Sequence, residues 1–128
     1  MKRILLVDDE KSIAFAVRHY FMQQGYVVDC ASTSEEALEC LAAQHYAVAI
    51  LDVELRGSGT VDGLHLAQFI RRHAPATAII ILTALQTAET ENRAREAGVH
   101  SFMQKPAPLA QLADIASGLI RDRVAASH

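Results

Sequence analysis

The chain has 128 residues, 51% of them hydrophobic, and a formal net charge of −3. That length suits one domain with its own core. No apolar run approaches the ~18 residues of a membrane span, MKRILLVDDEK reaches acidic residues too soon for a secretory signal, and no basic block offers a nucleic-acid surface. Cys30 and Cys40 form no CxxC pair, and the six histidines (19, 45, 65, 73, 100, 128) are dispersed without ligand spacing. This usage points to free thiols in a reducing, cytoplasmic compartment.

Along the chain, short apolar runs alternate with longer amphipathic stretches. Ile4–Val7 is continuously apolar, as in a strand covered on both faces. Lys11–Gln24 carries Ile13, Val17 and Tyr20/Phe21 at helical spacing and closes at Gly25. Tyr26–Cys30 is a valine-rich second strand, followed by a helix with Ser34 as its cap and Ala37, Leu38 and Leu41 inward. Ala47–Leu51 is the third strand. Gly63–His73 is a helix stopped before Pro75. Ala78–Leu82, with three isoleucines in a row, is the fourth strand, and Thr87–Ala97 a polar helix ended by Gly98. Val99–Met103 is a weaker fifth strand, and Pro108–Arg121 the last helix. Residues 1–121 thus form one core, with 122–128 a short tail expected to fray. Five strand–helix units with apolar strands predict an α/β fold, a parallel sheet between two helical layers.

The polar residues that interrupt this pattern all follow strands: Asp8 and Asp9 the first, Asp52 the third, Thr83 the fourth, Lys105 with Pro106 the fifth. The carboxyl edge of an open parallel sheet is where ligands bind. Three carboxylates there repel, since two unit charges ~4 Å apart cost about 4 kcal/mol at an effective dielectric of about 20. Lys105 or a hard divalent cation, Mg²⁺ or Mn²⁺, offsets this. Carboxylates, metal, lysine and hydroxyl together suit phosphoryl chemistry, in which a carboxylate can be the nucleophile. Each residue alone has an ordinary use. Asp8 or Asp9 can cap the next helix, as can Thr83; Asp52 can be a turn residue and Lys105 a solvated one. Four such positions on one edge weigh against coincidence.

The segments ILLVDDE, AILDVEL, DGLHL, IIILTAL and SFMQKP, in this order, resemble the receiver domain of bacterial two-component response regulators over essentially the whole chain. The resemblance implies a flavodoxin-like (βα)5 doubly wound sheet of order 2-1-3-4-5. It implies that Asp52 is the phosphoacceptor, that Asp8 and Asp9 hold Mg²⁺ with Asp52 and the Glu54 backbone carbonyl, and that Lys105 contacts the phosphoryl group across a cis Lys105–Pro106 bond. Thr83 and Phe102 are the implied switch residues. Implied partners are a sensor histidine kinase or phosphotransfer protein and a downstream protein or output domain, with no membrane or direct nucleic-acid contact by this chain. The last two helices and the fifth strand are the implied reporting surface, and a phosphorylation-dependent homodimer is compatible with it. The chain would catalyse only its own phosphorylation and slow dephosphorylation, alone or as the first domain of a longer regulator.

The chain departs from the family after Asp52. Arg56 stands where the family usually has proline, and Gly63 falls eleven residues after Asp52, a longer interval than usual. Gly57-Ser58-Gly59 precedes no lysine–threonine pair, so it reads as a flexible insertion and not a phosphate loop. Glu54 and Leu85 occupy positions that tune dephosphorylation in the family. Three other classes share parts of the pattern. A haloacid-dehalogenase phosphatase puts its nucleophile after the first strand and needs a cap. A flavodoxin needs a phosphate loop where this chain has Asp8 and Asp9. A receiver that is never phosphorylated, a fixed protein-binding module, is the alternative that labelling at Asp52 decides.

Overall fold

Five strands alternate with five helices in the computed structural model, which describes residues 2–54, 62–84 and 86–126. In chain order they are β1 (Arg3–Val7), α1 (Lys11–Gln23), β2 (Val27–Ala31), α2 (Ser34–Ala43), β3 (Val48–Leu51), α3 (Gly63–His73), β4 (Ala78–Thr83), α4 (Ala88–Ala97), β5 (Ser101–Gln104) and α5 (Leu109–Ala126). The strands form one parallel sheet of order β2-β1-β3-β4-β5, the doubly wound flavodoxin-like arrangement. The proline-free insertion falls chiefly on residues 55–61, which lie outside the described residues, as does Leu85.

The sheet divides the core by the period-two alternation of strand side chains. Leu5, Val7, Ala49, Leu51, Ile79 and Ile81 point to one face and meet Ala37 of α2, Leu64, Leu66, Ala67 and Ile70 of α3, and Ala94 and Ala97 of α4. Ile4, Leu6, Val48, Ile50, Ile80 and Leu82 point to the other and meet Val17 and Phe21 of α1 and Leu112, Ala113 and Ala116 of α5. This two-sided covering explains why the central strands are apolar throughout. Each fully buried Leu or Ile contributes about 1.5–3 kcal/mol.

Local signals set the element ends. Thr33, not Ser34, caps α2: its side chain accepts from the Glu36 N–H at 3.1 Å, while the Glu36 carboxylate accepts from the Ser32 N–H at 3.1 Å. Either hydroxyl could serve in the sequence; the extended backbone at Thr33 decides it. Thr87, not Thr83, caps α4, in a capping box with Thr90. Gly98 closes α4 at φ 78°, the left-handed conformation that favours glycine. The last helix continues to Ala126 beyond the expected end at Arg121, since RDRVAA contains no glycine or proline to stop it.

Candidate functional site

One row of paired residues crosses the sheet near its carboxyl edge: Ala31, Val7, Leu51, Ile81 and Phe102. The residues after Val7 and Leu51 are therefore level, and they are Asp8 and Asp52. Their amides extend the ladder one step, Asp8 N–H to the Ala31 carbonyl and Asp52 N–H to the Val7 carbonyl, both at 3.0 Å. The Lys105 N–H likewise donates to the Thr83 carbonyl at 2.8 Å, which anchors the start of the loop after β5 beside the end of β4. The Lys105–Pro106 peptide is cis.

Lys105 reaches across this edge. Its Nζ lies 2.7 Å from Asp8 Oδ2, 2.9 Å from Asp52 Oδ2 and 3.1 Å from Glu10 Oε1. The side chains of Asp8, Asp52 and Lys105 are 2%, 6% and 7% exposed, whereas that of Glu10 is 54% exposed. Among the described members of the cluster, Glu10 is the one exposed to solvent. Burial lifts the Asp8 carboxyl above the ordinary carboxylate range, although bonds from Lys105 and the Glu10 amide work the other way. For Lys105, burial alone would favour the neutral amine; bonds to Asp8, Asp52 and Glu10 more than reverse this and hold it charged.

Oxygen atoms of Asp8, Glu10 and Asp52 lie within 4.8 Å of one another. Glu10 was not foreseen as part of this group. Its only signal is its place in the run DDE, two residues after Asp8 and just ahead of α1. Asp9, half-buried, is not a member of the group. Thr83 is fully buried at the end of β4. Phe102 is half-buried, packed against the α2–α3–α4 side of the core, and borders a cleft of about 230 Å³ with Glu91, Arg95 and His100. Glu54 donates its N–H to Asp52 Oδ1 at 3.1 Å and exposes its side chain. A second, largely apolar cleft of about 510 Å³ opens beside Lys105 between α1 and α5, with Ile13, Val17, Leu82, Pro106 and Leu109 in its walls.

The family model of the response regulator receiver domain matches residues 4–117, nearly the whole chain. The chain belongs to the response regulator receiver family. Among curated receivers, the putative NtrX-like response regulator of Rickettsia felis is 32% identical over 103 residues. That match covers 80% of this chain but 22% of the relative, so the chain spans about a fifth of that relative's length. A CheY-like receiver from Methanospirillum hungatei superposes with a TM-score of 0.90 at 24% identity, covering 96% of each chain. TrrA of Thermotoga maritima, solved in complex with Mg(2+)-BeF, gives a TM-score of 0.81 at 32% identity, covering 93% of this chain and 99% of TrrA.

Receiver domains are signalling modules of two-component systems, and they carry an acidic pocket suited to Mg²⁺. The donor set here fits such an ion: clustered hard carboxylate oxygens, two from buried acids and one from the exposed Glu10. In the receiver described here Lys105 balances the same oxygens. Among the described residues no helix is long and apolar enough to cross a membrane.

Proposed function

We propose that this receiver takes a phosphoryl group from a histidine kinase or phosphotransfer protein onto Asp52 and thereby alters the face formed by α4, β5 and α5. The observation that carries this is the buried Asp52 carboxylate, level with Asp8 and bonded to Lys105 at 2.9 Å. In the transfer, a carboxylate oxygen of Asp52 bonds to phosphorus as the phosphorus–nitrogen bond of the donor phosphohistidine breaks, and the imidazole leaves with its electron pair and takes up a proton. Asp8 and Asp52, with the Glu54 carbonyl and the neighbouring Asp9 carboxylate, would hold Mg²⁺ or Mn²⁺, which would neutralise phosphoryl charge. Lys105 gives up part of its carboxylate contact to meet a phosphoryl oxygen, and the Thr83 hydroxyl donates to another. The group adds nearly two negative charges and strong acceptor oxygens. Movement of Thr83 then makes room for Phe102 to rotate inward, which biases a two-state equilibrium that partners read.

The test is labelling by a small phosphodonor such as acetyl phosphate, with and without Mg²⁺. Wild-type chain is expected to take up one phosphoryl group only with the metal, and Asp52→Asn none. Absence of label on the wild type supports the fixed binding module instead. Continuous turnover of a phosphomonoester supports a phosphatase.

A further inference from the structure

A connected set of contacts runs from the backbone of Asp52 to α4. Asp62 caps α3, its Oδ1 accepting from the amides of Leu64 and His65, both at 2.9 Å, with His65 Nδ1 3.3 Å away. Gly63 donates its N–H to the Val53 carbonyl at 3.1 Å. A Cβ built on Gly63 would lie 1.8 Å from the Asp52 carbonyl oxygen, so the start of α3 rests directly on the backbone of Asp52. The second oxygen of Asp62, Oδ2, accepts from Arg93 of α4 at 3.0 Å. This pair is partly shielded, with side chains 30% and 37% exposed. The N-terminus of α4 starts from Thr87, four residues beyond Thr83.

The contacts thus link Asp52, through Gly63 and Asp62, to Arg93 of α4, while the carbonyl of Thr83, four residues ahead of Thr87, accepts from the Lys105 N–H at 2.8 Å. We propose that the Arg93–Asp62 ion pair is a strut that holds α4 in the position belonging to the unphosphorylated receiver, with Arg93 a positioning residue for the phosphoacceptor site. The proposal rests on Asp52 being the phosphoacceptor. A phosphoryl group that draws Thr83 inward pulls on the start of α4. The middle of α4 is tied to the α3 cap, and that cap has no slack against the Asp52 carbonyl. Loading the site therefore works against the ion pair. Because such coupling is reciprocal, removing the pair favours loading by the same factor.

The experiment is a titration with beryllofluoride, a phosphoryl mimic, in the presence of Mg²⁺. It compares wild type, Arg93→Ala, Asp62→Asn and the double variant; Asn keeps an oxygen for the cap and gives up the charge. Each single variant is expected to lower the half-saturating beryllofluoride concentration about threefold, the size a half-exposed ion pair carries. The double variant should lower it no further, and Arg93→Lys should lie between wild type and Arg93→Ala. Hydrogen exchange of the α4 amides in the empty protein should rise in the same variants. A half-saturation that is unchanged or raised, even with faster α4 exchange, overturns the strut and leaves the pair a merely structural one. Additive single effects overturn it as well. Wild-type chain that binds no beryllofluoride overturns the phosphoacceptor reading, and the strut falls with it.

Discussion

Asp8 and Asp52 hold their carboxylates by the same device. In each, Oδ1 accepts from the amide two residues on, Glu10 N–H at 2.9 Å and Glu54 N–H at 3.1 Å, and Oδ2 faces Lys105. The local turn leaves each acid one fixed oxygen and one directed into the site. Two neighbouring parallel strands in level register then aim both directed oxygens at one point. The acidic pocket is thereby preorganised by backbone geometry, and the cost is two buried acids side by side.

That cost predicts the effect of Asp8→Asn. The folded-state pKa of Asp8 is raised, chiefly by burial, so the folded protein holds the proton more tightly than the unfolded chain. Stability is therefore lost as the pH rises from the unfolded-state pKa through that raised value, above which the whole cost of ionising Asp8 is present. Asn keeps an oxygen for the Glu10 amide and carries no charge. Asp8→Asn is expected to stabilise the fold at pH 7 while abolishing Mg²⁺-dependent labelling. Urea denaturation at pH 7 and pH 4 checks this; the gain should shrink at the lower pH.

Asp62 has the opposite sign. Burial alone would raise its pKa, but the His65 amide, the Arg93 hydrogen bond and the charges of Arg93 and His65 hold it below the ordinary value. Its contribution to stability is present above the unfolded-state pKa and is lost as the pH falls through the folded-state value. Asp62→Asn should be less stable than wild type by under about 1 kcal/mol at pH 7, and the two denaturation midpoints should converge as the pH falls through the lowered folded-state value. Asp62→Ala also removes the cap, which costs about 1 kcal/mol at every pH.

Much of this molecule was legible in the order of its residues. Continuous apolar strands could only belong to a covered parallel sheet, and the polar residues that end them had to share its carboxyl edge. Asp8, Asp52, Thr83 and Lys105 were placed on that edge this way, although sheet order came from family resemblance and not from the pattern itself. What escaped depends on contacts distant in sequence or on side-chain reach. Glu10 looks like any exposed acid ahead of a helix, and only Lys105, 95 positions away, brings it into the site. The Asp62–Arg93 pair joins residues 31 positions apart on two helices; its charges are ordinary surface charges until α3 and α4 pack side by side. Thr33 and Ser34 offer the same hydroxyl, and only backbone conformation selects the cap.

Gly63 is required by space and not by backbone conformation. The nearest atoms to an added Cβ are the carbonyl oxygen and carbon of Asp52, at 1.8 and 2.7 Å, and backbone cannot rotate aside as a side chain can. Gly63→Ala must push α3 away from the end of β3. A loss of about 3 kcal/mol, at the upper end for overpacking, is expected. Labelling at Asp52 should fall as well, because the displaced backbone carries the proposed acceptor. Thermal denaturation and phosphodonor labelling of the purified variant measure the two effects; wild-type values for both would mean that α3 does not bear on the acceptor.

Lys105 separates stability from metal affinity. Its removal leaves Asp8, Glu10 and Asp52 with their oxygens within 4.8 Å of one another and without the cation that now balances them. Breaking a buried ion pair by deleting one partner costs about 3–5 kcal/mol, so Lys105→Ala is expected to lose stability on that scale in the absence of divalent ions. The same acids, freed from Lys105, become a stronger cation site. Mg²⁺ should therefore raise the melting temperature of Lys105→Ala by more than it raises that of wild type, since a ligand stabilises according to its affinity for the folded state. Adding Asp52→Asn to Lys105→Ala should recover part of the lost stability by lessening the repulsion, and should weaken the Mg²⁺ effect. Calorimetry of the three proteins with and without Mg²⁺ checks both directions; equal metal-induced shifts in wild type and Lys105→Ala would show that Lys105 and the ion do not compete for the same oxygens.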